Sequence, residues 1–114
     1  MQEEAAVFKA LSDPTRLRLA VLLAICGETC VCELAEALGE PDYKISRHLG
    51  ILRSGGLVEA RREGAWMHYR LVEGRTGLEK CLHECFRDCL DEHATVREDL
   101  KRLEKAVCGR RMCE

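Results

Sequence analysis

The sequence predicts an all-α domain carrying a small β-hairpin wing. Three observations lead there. Apolar residues recur at helical spacing over most of the 114 residues. One segment, 57–72, changes to a period near two on either side of Glu63-Gly64. Caps and stops (Asp13-Pro14, Gly27, Gly39, Gly55-Gly56) fall between the helical stretches. The length allows one domain, expected over residues 1–107, with 108–114 as a flexible C-terminal tail.

Each element follows in order. Residues 3–11 form a short helix with Ala6, Val7, Ala10 and Leu11 apolar. In "SDPTRLRLAVLL" Asp13 caps a second helix, Pro14 takes its first position, and Gly27 ends it. That helix is apolar nearly all round, as a central core helix is. "TCVCELAEAL" is a third helix capped at Thr29 or Cys30, with Leu34, Ala35 and Leu38 facing inward. "DYKISRHLGILRSGG" is a fourth, with Ile45, Leu49 and Leu52 as its core stripe. Two such helices joined by a tight glycine-containing turn make a helix-turn-helix. "LVEARREGAWMHYRLV" is then a two-stranded ribbon.

From Gly74 to about Val107 the pattern is helical again. Leu82, Phe86, Cys89, His93, Val96, Leu100, Leu103 and Val107 alternate four and three residues apart, which is a heptad seam. One long helix with a narrow apolar stripe wants a partner, so a homodimer through the terminal helices is expected. His93 is read as seam packing rather than as a metal ligand.

Charge is unevenly spread. The chain carries a net charge of −2, yet residues 43–70 hold Lys44, Arg47, Arg53, Arg61, Arg62 and Arg70 against Glu59 and Glu63 alone. Helix, turn, basic helix, then a basic hairpin is the winged helix-turn-helix order, whose second helix enters the major groove of DNA. Lys44, Ser46, Arg47 and His48 lie in its first turns, and Arg61 and Arg62 beside the hairpin tip. Taken singly each is an ordinary surface charge. The ordered set is what points to DNA. For His48 the alternative is a partly buried helix histidine.

No apolar run approaches the roughly 18 residues a membrane span needs. The start, "MQEEAAVFKA", lacks the basic flank and apolar core of a signal peptide. A cytoplasmic location is expected. Thiols stay reduced there, so eight cysteines point to soft-metal or redox chemistry rather than to a disulfide framework. The informative pair lies in "ETCVCEL", where Cys30 and Cys32 are one residue apart. Inside a regular helix such residues point about 200° apart. They converge only if Cys30 stands at or before the cap. There, the unpaired N–H groups of the first turn stabilise thiolate. A soft ion held at this point distorts the helix that supports the recognition helix, which couples ligand to DNA-reading geometry.

"FKALSDPTRLRLAVLL", "ETCVCELAEAL" and "KISRHLGILRSGGLVEARREGAWMHYRL" together resemble the ArsR/SmtB family of winged-helix metalloregulators along nearly the whole chain. "ETCVCEL" is similar to the thiolate box of its arsenite-responsive repressors. The resemblance implies a homodimer that binds a double-stranded, pseudo-palindromic operator when metal-free and releases it on binding arsenite or antimonite. It places inducer thiolates at Cys30 and Cys32 and DNA contacts at Lys44, Ser46, Arg47 and His48. The box usually holds a third cysteine where this chain has Ala35. The third sulfur is then Cys26, or a thiol from solvent or the last helix, unless water completes a two-thiolate site.

Cys81, Cys85 and Cys89 recur every four residues along the last helix. They suit a second soft-metal site, but the preferred reading is three small buried apolar residues, since the seam already explains Cys89. Cys108 and Cys113, on the tail, are read as bystanders. Three competing functions stay open at this level: the same repressor answering to cadmium, lead or bismuth; a repressor switched by thiol oxidation; and, ranked last, a thiol-dependent enzyme. The chain has no C-x-x-C and no nucleophile–base pair for the last.

Overall fold

The structure, a computed structural model, describes residues 1–106. The expected tail with Cys108 and Cys113, and the last seam position Val107, lie outside the described residues. The order is α1 (Gln2–Leu11), α2 (Pro14–Cys26), β1 (Thr29–Cys30), α3 (Val31–Leu38), α4 (Asp42–Ser54), β2 (Val58–Glu63), β3 (Trp66–Leu71), α5 (Gly77–Asp88) and α6 (Ala94–Lys105).

The central helix α2 forms as its sequence dictates. The Asp13 carboxylate accepts from the Arg16 N–H at 3.1 Å, and Pro14 occupies the first turn, where its missing N–H costs nothing. The helix buries residues on two sides. Leu19, Leu22 and Leu23 meet Leu34, Ile45, Leu49 and Leu52 from the helix-turn-helix. Ala20 and Val21 meet Phe86 and Val96 from the last two helices. Burying each such leucine fully contributes about 1.5–3 kcal/mol. The helix-turn-helix therefore rests on α2 from one side and the C-terminal helices from the other.

The turn between α3 and α4 is set by Gly39, in the left-handed region at φ 67°, with its N–H directed to the carbonyls of Ala35 and Glu36. A Cβ is disfavoured at that φ. The hairpin turns at Gly64-Ala65, one residue later than its sequence suggests. Glu63 faces Trp66, and Gly64 at φ 62° takes the first central position, as a II′ turn requires.

Two expectations are corrected. The sheet has three strands in the order β1-β3-β2, all antiparallel. Thr29 and Cys30 add the third strand by pairing with Tyr69 and His68. A two-residue strand has no periodicity to read, so it is invisible in the sequence. The single long helix is also wrong. It breaks after Asp88, and α6 restarts at Ala94 with His93 as its N-cap. The ring Nδ1 of His93 accepts from the Thr95 N–H at 3.1 Å, so this exposed residue caps a helix instead of packing in a seam. The apolar repeat is real, but Phe86, Val96 and Leu103 turn into this chain's own core. The break lets α5 lie on α2 while α6 lies on α3.

A buried ionic cluster fixes α6. Asp99 is fully buried. It accepts from the Arg18 guanidinium through both oxygens at 2.9 and 2.7 Å, and from Arg102 at 2.8 Å. Arg102 also donates to the Ala37 carbonyl at 2.6 Å. One carboxylate thus ties α2, α3 and α6 together. The hydrogen bond that Arg18 donates to Asp99 holds the Arg18 pKa above its usual value.

Candidate metal centre and nucleic-acid interface

Cys30 is the N-cap of α3 with extended backbone, φ −75° and ψ 145°. It is also the last residue of β1. Because Cys30 stands outside the helix while Cys32 is in its first turn, their sulfurs converge to 3.3 Å. The geometric condition that the spacing imposes is therefore met. Cys30 is buried and Cys32 half-buried.

The electrostatics differ from expectation. Burial pushes the Cys30 thiol above the usual thiol range. The N–H groups of Cys32 and Glu33 point toward its sulfur and pull it partly back, though neither makes a full capping bond. Nearby Glu33 and Asp42 raise it further. Desolvation outweighs the helix terminus, because the dipole acts on a sulfur that water does not reach.

Cys26 sits at the C-terminal end of α2, in a cleft of about 360 Å³ with Glu28, Thr29, Glu33, Leu100, Leu103 and Glu104. Its pKa is raised by burial and by Glu33. Among the described residues no three His, Cys, Asp or Glu side chains converge as a preformed metal site. Cys26 is thus not drawn together with Cys30 and Cys32 into one cluster. The same holds for Cys81, Cys85 and Cys89. Cys81 and Cys89 are exposed and Cys85 is half-buried, so they are not core packing in this chain.

On α4, Ile45, Leu49 and Leu52 are buried, which leaves Tyr43, Lys44, Ser46 and Arg47 outward. Arg47 lies 6.0 Å from the centre of the Tyr43 ring. Lys44 stands 3.6 Å from Glu40. His48 is half-buried and turned back toward the start of α2, 4.0 Å from Asp13 and 3.5 Å from Arg16. Its surroundings match the partly buried alternative.

The two wing arginines separate. Arg61 donates to both oxygens of Glu28 at 3.2 and 2.6 Å, while Arg62 is exposed, one residue along the strand and so on the opposite face. The hydrogen bond from Arg61 also lowers the Glu28 pKa. Sequence reasoning missed Glu28, Tyr43, His68 and Asp99. An exposed aromatic in the first turn of a basic helix was a usable signal for Tyr43. The other three depend on long-range partners.

Known proteins resemble this chain in sequence and in fold. Residues 13–60 match the model of the bacterial regulatory proteins of the arsR family. The chain is 57% identical over 65 residues to the arsenic resistance transcriptional regulator ArsR2 of Pseudomonas putida, a match covering 57% of this chain and 56% of that protein. It is 52% identical over 65 residues to the arsenical resistance operon repressor of Escherichia coli, again covering 57% and 56%. The chain thus spans a little over half the length of these two relatives. Among solved structures, the homodimeric winged helix-turn-helix DNA-binding domain Mb0332 of Mycobacterium bovis superposes with a TM-score of 0.64. That match has 39% identity and covers 81% of this chain and 82% of the other. With its winged helix-turn-helix and these matches, the chain belongs to the arsR family of bacterial regulatory proteins.

Proposed function

We propose that this protein is a homodimeric transcriptional repressor that binds operator DNA when metal-free and releases it when arsenite or antimonite binds Cys30 and Cys32. The carrying observation is the 3.3 Å approach of the two sulfurs at the cap of α3. With thiolate–metal bonds of about 2.3 Å, that separation closes an angle of about 90° at the ion. Such an angle suits a pyramidal three-coordinate centre better than a tetrahedral one. In this reading Cys30 and Cys32 supply two sulfurs of the set, and Cys26 is the candidate third. The arsenic-resistance function of the relatives supports the choice of ion. The homodimeric M. bovis domain supports the assembly.

On DNA, α4 enters the major groove with Lys44, Ser46 and Arg47 toward base edges, and Arg62 meets phosphate from the wing. His48 orients α4 through its contacts at the start of α2. Coupling follows from the position of Cys30, which belongs to the wing sheet and caps the first helix of the helix-turn-helix. Any movement that seats an ion there acts on both DNA-reading parts at once.

The test is DNA release. A duplex selected from a random pool by the metal-free protein should be released on adding arsenite or antimonite. Cys30→Ser/Cys32→Ser should bind the same duplex and keep it. Release by the double variant would overturn the thiolate assignment, and release by cadmium, lead or peroxide but not arsenite would reassign the signal. Unchanged arsenite affinity in Cys26→Ser would remove that residue from the site.

A further inference from the structure

The α5 cysteines are left over by this function, and their geometry is specific. The Cys89 N–H donates to the Cys85 carbonyl at 2.9 Å, so the last turn of α5 is closed and helical up to its cap. Residues four apart then stack on one face, with Cβ atoms about 5–6 Å apart. On α5, Leu82 and Phe86 pack on α2, while Cys81 and Cys89 are exposed and Cys85 is half-buried.

We propose that Cys85 and Cys89 form a two-thiolate clip for a two-coordinate thiophilic cation such as mercuric or cuprous ion. Sulfurs on Cβ atoms at that spacing can take an ion between them with two bonds of about 2.3 Å, nearly in line. Cys81 takes no part. It lies eight residues from Cys89, about 12 Å along the axis at about 1.5 Å per residue. One ion cannot reach all three, so a three-sulfur arsenite site is excluded on this helix. Exposed Glu84 and Asp88 flank the pair and favour a cation. The Cys89 sulfur lies within hydrogen-bonding reach of the Cys85 sulfur. A free cysteine side chain ordinarily carries its proton as a thiol. Binding forms two S–metal bonds and releases two protons to solvent, with no change of oxidation state. The clip sits where α5 hands over to α6 and is independent of Cys30 and Cys32.

The test uses mercuric chloride. In a chain with Cys26, Cys30, Cys32, Cys108 and Cys113 replaced by serine, one ion per chain should bind with near-ultraviolet sulfur–mercury absorption and resist excess mercaptoethanol. Cys85→Ser or Cys89→Ser in that background should lose that resistance at least tenfold, and Cys81→Ser should retain it. Half an ion per chain, or equal retention by all three variants, would overturn the proposal. The unsubstituted chain provides a second measurement that does not depend on folding of the serine background. Mercury should shield Cys85 and Cys89 from iodoacetamide while Cys81 still reacts. Equal shielding of all three, or of neither member of the pair, would also overturn it.

Discussion

Cys30 and His68 stand directly opposite each other across the β1–β3 ladder, on the same face of the sheet. Arg61 continues the row on β2. His68 is buried and its ring nitrogens make no hydrogen bond, although Nε2 lies 3.2 Å from a Glu63 carboxylate oxygen. The two are close without the alignment a hydrogen bond needs. The strand that carries the thiol therefore rests on a buried polar ring that returns little for its desolvation.

His68→Phe should accordingly leave stability unchanged or raise it by about 1 kcal/mol, since it removes a buried polar ring without a hydrogen bond at similar volume. His68→Ala should lower it by roughly 2–4 kcal/mol through the cavity. Urea unfolding of both variants checks the contrast. A large loss in His68→Phe would show that the ring nitrogens do bond in solution.

The Asp99 cluster should respond asymmetrically. Replacing Arg18 and Arg102 together by methionine strands a fully buried carboxylate, at a cost of roughly 3–5 kcal/mol. Asp99→Asn leaves two guanidinium groups that solvent still reaches, 27% and 45% exposed, and should cost about 1–2 kcal/mol. Denaturant midpoints for the two variants should fall in that order.

Cys30 should give the fold a pH dependence at the alkaline end. Its folded pKa lies above that of the unfolded chain, so the folded state holds its proton more firmly. That contribution is complete below the ordinary thiol pKa and is lost as pH rises through the raised folded value. Thermal midpoints of the reduced protein should fall more steeply above pH 8.5 than those of Cys30→Ala. Alkylation of Cys30 should also need a higher pH than that of a solvated thiol.

The wing arginines should separate on DNA. Arg62→Ala should weaken operator binding at every sequence and reduce the salt slope by about 0.9, as loss of one phosphate contact does. Arg61→Ala should change the slope little, because Glu28 already neutralises that guanidinium. Glu28→Gln should leave Arg61 only its exposed pair with Glu63 at 3.6 Å and so steepen the slope. Binding isotherms at several salt concentrations decide among these outcomes.

Most of the order of elements was legible because it is local. Asp13 before Pro14, Gly39 between two helices and the change of period after Leu57 each act within a few residues, through capping, φ and the pleat. The convergence of Cys30 and Cys32 belongs with these, since the cap that separates them from a regular helix lies between neighbours. Tertiary packing decided what periodicity leaves open. A 4-3 apolar repeat serves one long helix against a partner or two short ones against α2 and α3, and only the core already built by those helices selects the break at His93. The same dependence on distant partners hid the β1–β3 pairing, the Glu28–Arg61 pair and Asp99, whose Arg18 partner lies 81 residues away. Local chemistry names the helices and the thiol pair. Burial and charge pairing, which need the whole chain in place, determine which side chains stay available.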